Sequence, residues 1–441
     1  MKKVLVIVWA FFLAQWGHRL GGHSGVPHVG QEIAMTLGFV LIVSYLIGSV
    51  FPKFKLPMIT GYMLTGVLFG PSLFDLIAPE WGVVTRHALE ELSLLNNIAL
   101  GLIAFTAGGE LKISAIRARW KTFFSITLVQ SIVTFFGVGG LLYVLAPQLP
   151  GLSDLESKAL LVTVVLLACT SVAKSPATTI AVINESQSAG PMTDVALGVT
   201  VIKDMVVIGL FAASLSLSRA LVAPGEGPGA ELILTISWEI IGSLLAGAIL
   251  GKILTLFIEK LGEDLPLALL GVAFLSVYLA EHVHLHGLMI CMMAGFVVEN
   301  FSPHGENFIH AVERYSLPVY VVFFTLAGAD MNLEALGEVG WVASLLVLAR
   351  TAFTYAGTWL GAQMVKESKV IRNYGGLGFL GQAGVTLGFS VIIADTFPKI
   401  GGLLSTIIVA AVALNQIIGP VAFRYALGVA DEVGKRTQNS V

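Results

Sequence analysis

The chain has 441 residues, of which 56% are hydrophobic and only 12% are charged, and its formal net charge is −3. Soluble domains carry about twice that share of charge, so the composition excludes a soluble globular protein, and no basic stretch suits nucleic acid. The apolar residues fall into repeated runs of about 20, the length of helix that crosses a bilayer core, so the expected fold class is an all-α polytopic membrane protein.

In chain order, "MKKVLVIVWAFFLAQW" opens with two lysines before a short apolar stretch. It reads as a signal-like segment within residues 1–24 or as an extra N-terminal helix. Apolar runs between charged or Pro/Gly punctuation then give thirteen spans near 32–51, 57–76, 92–110, 122–146, 158–181, 193–218, 232–256, 265–282, 286–300, 315–330, 341–364, 374–395 and 402–428, with a short tail over 429–441. Placing "PKFK" (52–55) in the cytoplasm puts Lys53, Lys55, Lys112, Arg117, Arg119, Lys121, Lys260, Arg314, Lys366, Lys369, Arg372, Lys435 and Arg436 inside. Only Arg19, Arg86, Lys158, Arg219 and Lys399 then fall outside. That asymmetry predicts an external mature N-terminus and a cytoplasmic C-terminus. Cys169 and Cys291 lie inside apolar runs and read as packing residues.

"AGGELKI" (107–113) and "AGADMNL" (327–333) align at an offset of 220 residues, each closing an apolar helix. Seven spans separate them, so the two copies run in opposite directions. An inverted repeat places a transport site at the midplane between its halves. The expected halves are 32–218 and 265–428, joined by a linker helix at 232–256.

Four features converge on that midplane. At about 1.5 Å per residue, Asp204 lies roughly 16 Å below one face and Arg350 roughly 14 Å below the other, within a core about 30 Å thick. Charges at that depth are costly and need a partner or a cavity. The helix before Asp204, "LLACTSVAKSPATTIAVINES" (166–186), places Ser175 and Pro176 among Thr170, Ser171, Thr178 and Thr179. Pro176 cannot donate and disfavours helix at Ser175, so the helix is expected to break there. "GGLGFLGQAGVTLGFS" (375–390), with Gln382 and Gly384 among its glycines, is the expected second broken helix, taken as the mate at the same offset. Taken alone, a proline beside hydroxyls is usually only a kink, and a structural ion pair of Asp204 with Arg350 is the alternative reading of the two charges. Agreement in depth favours a site for a small ion, lined by freed carbonyls and helix-dipole ends. Elsewhere, His282, His284 and His286 leave a metal site, an interfacial role or pH sensing open, and Glu110 and Asp330 sit at mirrored helix ends.

"IAFTAGGEL", "ACTSVAKSPATTIAVINES…GPMTDVALGVTVIKD", "VYVVFFTLAGADM" and "GFLGQAGVTLGFSVII" together resemble the monovalent cation:proton antiporters, in the branch of sodium/proton exchangers and Kef-type systems. The resemblance covers roughly 32 to 428. It implies about 13 transmembrane helices in inverted repeats with two crossing discontinuous helices, moving against a scaffold that forms a homodimer in a bacterial inner membrane. It makes Asp204 the carboxylate that binds cation and proton in turn, with Thr170 and Ser171 contributing to the ion site and Arg350 as a modulating charge. No nucleophile–base set, HExxH or aspartyl pair appears in the sequence, so no enzymatic activity is expected, nor any cofactor or metal beyond the transported cation.

Position 203 departs from that pattern, because relatives place Asp, Asn or Gln before the essential aspartate and this chain has Lys203. Adjacent helical residues point about 100° apart, so Lys203 and Asp204 do not form one facing pair. The added positive charge leaves a second class open, a proton- or sodium-coupled transporter of a small organic anion.

Overall fold

The computed structural model describes residues 29–77, 83–109, 111–149, 151–153, 155–222, 230–261, 285–303, 305, 317–331, 333–382 and 384–436, with scattered positions at 7, 11 and 271–283. Among them all regular structure is helical. A first helix, α1 (Val29–Phe39), continues through a π-helical turn, Val40–Ser44, into α2 (Tyr45–Gly48). Then follow α3 (Met58–Phe69), α4 (Pro71–Ile77), α5 (Arg86–Glu91), α6 (Ser93–Gly109), α7 (Ile113–Leu145), α8 (Ser157–Val172), α9 (Pro176–Ser186), α10 (Pro191–Val222) and α11 (Ala230–Leu261). The second half brings α12 (Gly287–Phe301), α13 (Leu317–Ala329), α14 (Leu333–Met364), α15 (Lys369–Tyr374), α16 (Gly384–Thr396) and α17 (Gly401–Val429). Every expected span falls on one or more of these except 265–282, of which only scattered residues are described. The segment 1–24, apart from Ile7 and Phe11, lies outside the described residues, as do Glu110 and His284.

Among the described residues, seven helical stretches are long and apolar enough to cross a membrane, including Ser157–Ser186, Pro191–Val222 and Gly401–Val429. Phe124, Leu128, Ile132 and Phe136, one helical turn apart along α7, are all exposed. Such a stripe is unfavourable in water and matched to lipid.

The helices pack as two bundles. One joins α7, α8, α10, α14, α16 and α17 around Leu142, Leu166, Val207, Leu346 and Ile407. The other joins α3, α6, α11, α12 and α13, and its core, around Ile59, Ile103, Ile290 and Phe324, also takes in Ile180 of α9. In the second bundle α6 lies on α12 and α13 lies on α3. The contact points are glycines: a Cβ on Gly108 would come 1.7 Å from the Met292 carbonyl oxygen, and one on Gly328 would come 2.2 Å from that of Met63. Gly108 and Gly328 occupy equivalent places in the two aligned motifs. Equivalent helices from the two halves therefore use the same close backbone approach, which only a glycine permits.

The helix α9 lies at the seam between the bundles. The Glu185 carboxylate accepts the backbone N–H of Met58 and of Ile59, capping α3. Asn184 donates to the Tyr320 hydroxyl, 3.1 Å away. The chain end returns to the same corner: the Glu432 carboxylate accepts the N–H groups of Met192 at 2.6 Å and Thr193 at 2.8 Å, capping α10. Gly434 donates its N–H to the Ser186 carbonyl. The helix that carries Asp204 is thus anchored at its start by the tail.

Candidate ion-binding site

Each interruption follows from its own residues. At the first, Ser175 is held extended at φ −94° and ψ 114°, and its hydroxyl accepts the Thr178 N–H as the cap of α9, with Pro176 in the first turn. Proline at that position costs no hydrogen bond, because the N–H it lacks would have no partner there. At the second, five residues, Gly375–Phe379, wind as a 3-10 turn, three of them glycine. Glycine weakens α-helix by about 1 kcal/mol each relative to alanine, and regular helix resumes only at Gly384. The breaks open at Ala173 and Leu380, closer in sequence than the 220-residue offset of the two motifs, because the segments joining equivalent helices differ in length.

The two interruptions touch. The Ser175 N–H donates to the Gly381 carbonyl at 2.9 Å. Gln382 donates through Nε2 to the Thr170 carbonyl at 2.8 Å and accepts at Oε1 from Asn415 of α17, also at 2.8 Å.

Arg350 lies in the middle of this crossing, buried at 1% exposure. Its guanidinium donates to the carbonyls of Ser171 at 2.9 Å, Ala173 at 2.9 Å, Phe379 at 3.1 Å and Leu380 at 2.6 Å. These are the carbonyls that the ends of both interrupted segments would otherwise leave without donors. A planar group with five donors suits four convergent acceptors. The alternative of a structural ion pair between Arg350 and Asp204 is not what the fold builds: the arginine is spent on backbone, because four carbonyls converge where its guanidinium lies.

Asp204, on α10, is 5% exposed and takes no hydrogen bond from the described residues. Lys203 turns away from it, as the 100° step requires. Its ammonium donates to Gln130 Oε1 on α7 at 2.5 Å, and Gln130 Nε2 in turn donates to the Thr358 hydroxyl of α14 at 2.7 Å. The hydroxyls of Thr170 and Ser171 donate back to the Leu167 carbonyl at 3.1 and 2.7 Å. Each keeps free lone pairs, while the Thr170 and Ser171 carbonyls are taken by Gln382 and Arg350.

Five contributors were not anticipated: Lys174, Thr200, Gln130, Phe379 and Asn415. Lys174 stands inside the first interruption at 3% exposure; its ammonium donates to the Thr200 hydroxyl and lies 4.6 Å from the centre of the Phe379 ring. The rule that picked out Asp204, a charge at mid-depth, applies equally to Lys174. Asn415 and Gln130 are polar residues within apolar helices and carry a weaker form of the same signal.

The histidine cluster takes another form. His282 stacks on Tyr278 with ring centres 4.0 Å apart. His286 sits past the helix end as the N-terminal flank of α12, so the two do not share one helix face.

Residues 38–427 match the sequence profile of a family described as "Sodium/hydrogen exchanger, transmembrane". The chain is 23% identical to the Na(+)/H(+)-K(+) antiporter GerN of Bacillus cereus, over 92% of this chain and 99% of that one. It is 22% identical to a probable Na(+)/H(+) antiporter of Methanocaldococcus jannaschii, over 88% and 94%. Its fold matches the solved structure of the sodium proton antiporter MjNhaP1 from the same archaeon with a TM-score of 0.65, at 19% identity, over 90% of this chain and 97% of that one.

Proposed function

Because this chain belongs to the sodium/hydrogen exchanger family, and so exchanges a monovalent cation for protons across a membrane, we propose that Asp204 is where the two compete. The observation that supports this is the division of labour at the crossing. Arg350 and Gln382 satisfy the backbone that the interruptions free, while the carboxylate at the same depth takes no hydrogen bond from the described residues. A carboxylate suits the task because it is a hard oxygen ligand when ionised and uncharged when protonated. Thr170 and Ser171, with lone pairs free, and Thr200 are the neighbouring oxygens for the cation. Lys203 and Arg350 act on it as nearby positive charges, and Ser175, Pro176, Gln382 and Gly384 shape the two breaks.

The cycle runs by alternating access. A cation displaces the proton from Asp204, the bundle holding the crossing shifts against the other, and a proton returns the carboxylate from the opposite side. The bonds of Glu185 to α3 and of Asn184 to Tyr320 tie the end of the first broken helix to α3 and α13. The halves 32–218 and 265–428 serve as the inverted repeats, and α11 links them. The setting is a bacterial inner membrane, with the C-terminus in the cytoplasm and two copies paired.

Lys174, Lys203 and Arg350 against one carboxylate favour a second reading, transport of a small organic anion. One assay separates the two. Proteoliposomes carrying a pH-sensitive dye and an imposed proton gradient receive Na+, K+ or Li+ in turn, for the wild type and Asp204→Asn. Dissipation by a cation that vanishes in Asp204→Asn is expected. No response to any cation would move the assignment to an anion, and full activity of Asp204→Asn would remove the carboxylate from its role.

A further inference from the structure

Several buried threonines turn their hydroxyls onto the carbonyl one turn back in their own helix: Thr65 donates to Gly61 at 2.8 Å, Thr106 to Leu102 at 2.9 Å and Thr325 to Val321 at 2.7 Å. Thr386, in the first turn of α16, does not. It is 1% exposed, and its hydroxyl has no partner among the described residues. The residue four positions back is Gln382, which belongs to the interruption and is not helical. A buried hydroxyl in that state is costly unless something else completes it. Thr60, Thr127 and Thr163 are in the same state; what sets Thr386 apart is its place.

That place follows from Phe389, further along α16, which stacks on Phe211 of α10 with ring centres 3.8 Å apart and planes 7° from parallel. The two helices run the same way. α16 turns back into α17 through residues 397–400, and the tail just past α17 caps the start of α10 through Glu432. Phe211 follows Asp204 by two turns, so the two side chains leave one face of α10 and Asp204 faces α16. At about 1.5 Å per residue, Asp204 lies about 10.5 Å and Thr386 about 4.5 Å before the stack, which puts them about 6 Å apart along the axes. A hard cation holds each oxygen at about 2.4 Å, so one ion between the two side chains is within reach of both. The stacked rings are buried as well and close that space beyond Thr386.

We propose, on the premise that Asp204 is the exchange site, that Thr386 is a further ligand of the transported cation. Asp204 supplies the negative charge, and Thr386 supplies a neutral oxygen whose lone pairs meet no donor among the described residues. The ion bridges α10 and the second broken helix, and it completes a hydroxyl that the fold leaves open. The proton that alternates with it rests on the carboxylate alone, so Thr386 serves the cation half of the exchange.

The test compares the wild type with Thr386→Val, which keeps the shape and loses the oxygen, Thr386→Ser, which keeps the oxygen, and Asp204→Asn. The apparent KM for Na+ is measured in proteoliposomes, and thermal unfolding is followed in detergent with Na+ and with choline in its place. Thr386→Val is expected to raise KM about tenfold, the order that one neutral ligand on a charged group contributes, and Thr386→Ser to restore most of the affinity. In choline, Thr386→Val is expected to melt no lower than the wild type, because it removes a buried polar atom that has no partner. Na+ is then expected to raise its melting point less than that of the wild type. A Val variant with the wild-type KM and the wild-type Na+ shift would overturn the proposal. So would one that melts lower in choline or fails to fold, since its hydroxyl would then be bonded within the protein. Continued exchange by Asp204→Asn would instead overturn the premise, whatever the threonine variants do.

Discussion

The two interruptions stand opposite each other at the same crossing and are made of different chemistry. Proline ends the first, which presents the N–H of Ser175 and the ammonium of Lys174 beside the carbonyls of Thr170, Ser171 and Ala173. Glycines loosen the second, which presents the carbonyls of Phe379, Leu380 and Gly381 and the side-chain amide of Gln382. The close approaches at Gly108 and Gly328 behave otherwise, because there the two halves repeat the same contact. Internal repetition thus constrains where backbones cross more tightly than what is placed at the crossing. Backbone contact at a helix crossing tolerates only the smallest residue, whereas a break can be satisfied by any group that supplies the missing partners.

Removing Arg350 attacks both breaks at once and has the largest expected effect. Arg350→Met leaves four buried carbonyls without their donor, each costing about 1–3 kcal/mol, so little monodisperse protein is expected on gel filtration in detergent. Arg350→Lys restores the charge with fewer donors and should recover part of the yield. A wild-type melting curve for Arg350→Met would mean that the carbonyls find other partners.

A smaller effect follows from pressing on the second break alone. A Cβ on Gly419 would lie 2.5 Å from the Gly381 Cα, so Gly419→Ala must push α17 away from that break. Overpacking of this kind costs about 1–3 kcal/mol. A lowered unfolding midpoint with exchange sharply reduced is expected, and unchanged transport would show that the crossing has slack.

The smallest effect is expected where a polar pair lies beside the breaks and not in them. Lys203→Met alone leaves Gln130 Oε1 without its donor, at about 1–3 kcal/mol, whereas Lys203→Met with Gln130→Leu removes both partners and should be nearly neutral. Thermal unfolding of the single and double variants checks this. A double variant less stable than the single one would show that Gln130 is needed for its bond to Thr358.

Much of the fold was legible along the chain. Hydropathy alone located the helices, and Pro176 and the glycines of 375–384 located the breaks, because both signals act within a few residues of where they stand. Asp204 was legible by depth, and Lys174 would have been by the same rule. The partners of Arg350 were not, since carbonyls carry no side-chain identity to read. Nor was the turning of the Thr170 and Ser171 hydroxyls onto Leu167, where a helix offers them a carbonyl one turn back.

By itself the sequence determined a membrane-spanning helical chain, two broken helices and a lone acid at mid-depth. Burial in lipid and the stereochemistry of proline and glycine leave few alternatives. Only the tertiary structure decided that Arg350 serves the backbone, that Lys203 turns to Gln130, and that Lys174 takes the place beside Thr200. Those choices rest on contacts between distant segments, such as Gln382 with Thr170 across 212 residues. Which groups come within reach there depends on how whole helices pack, and no local pattern encodes it.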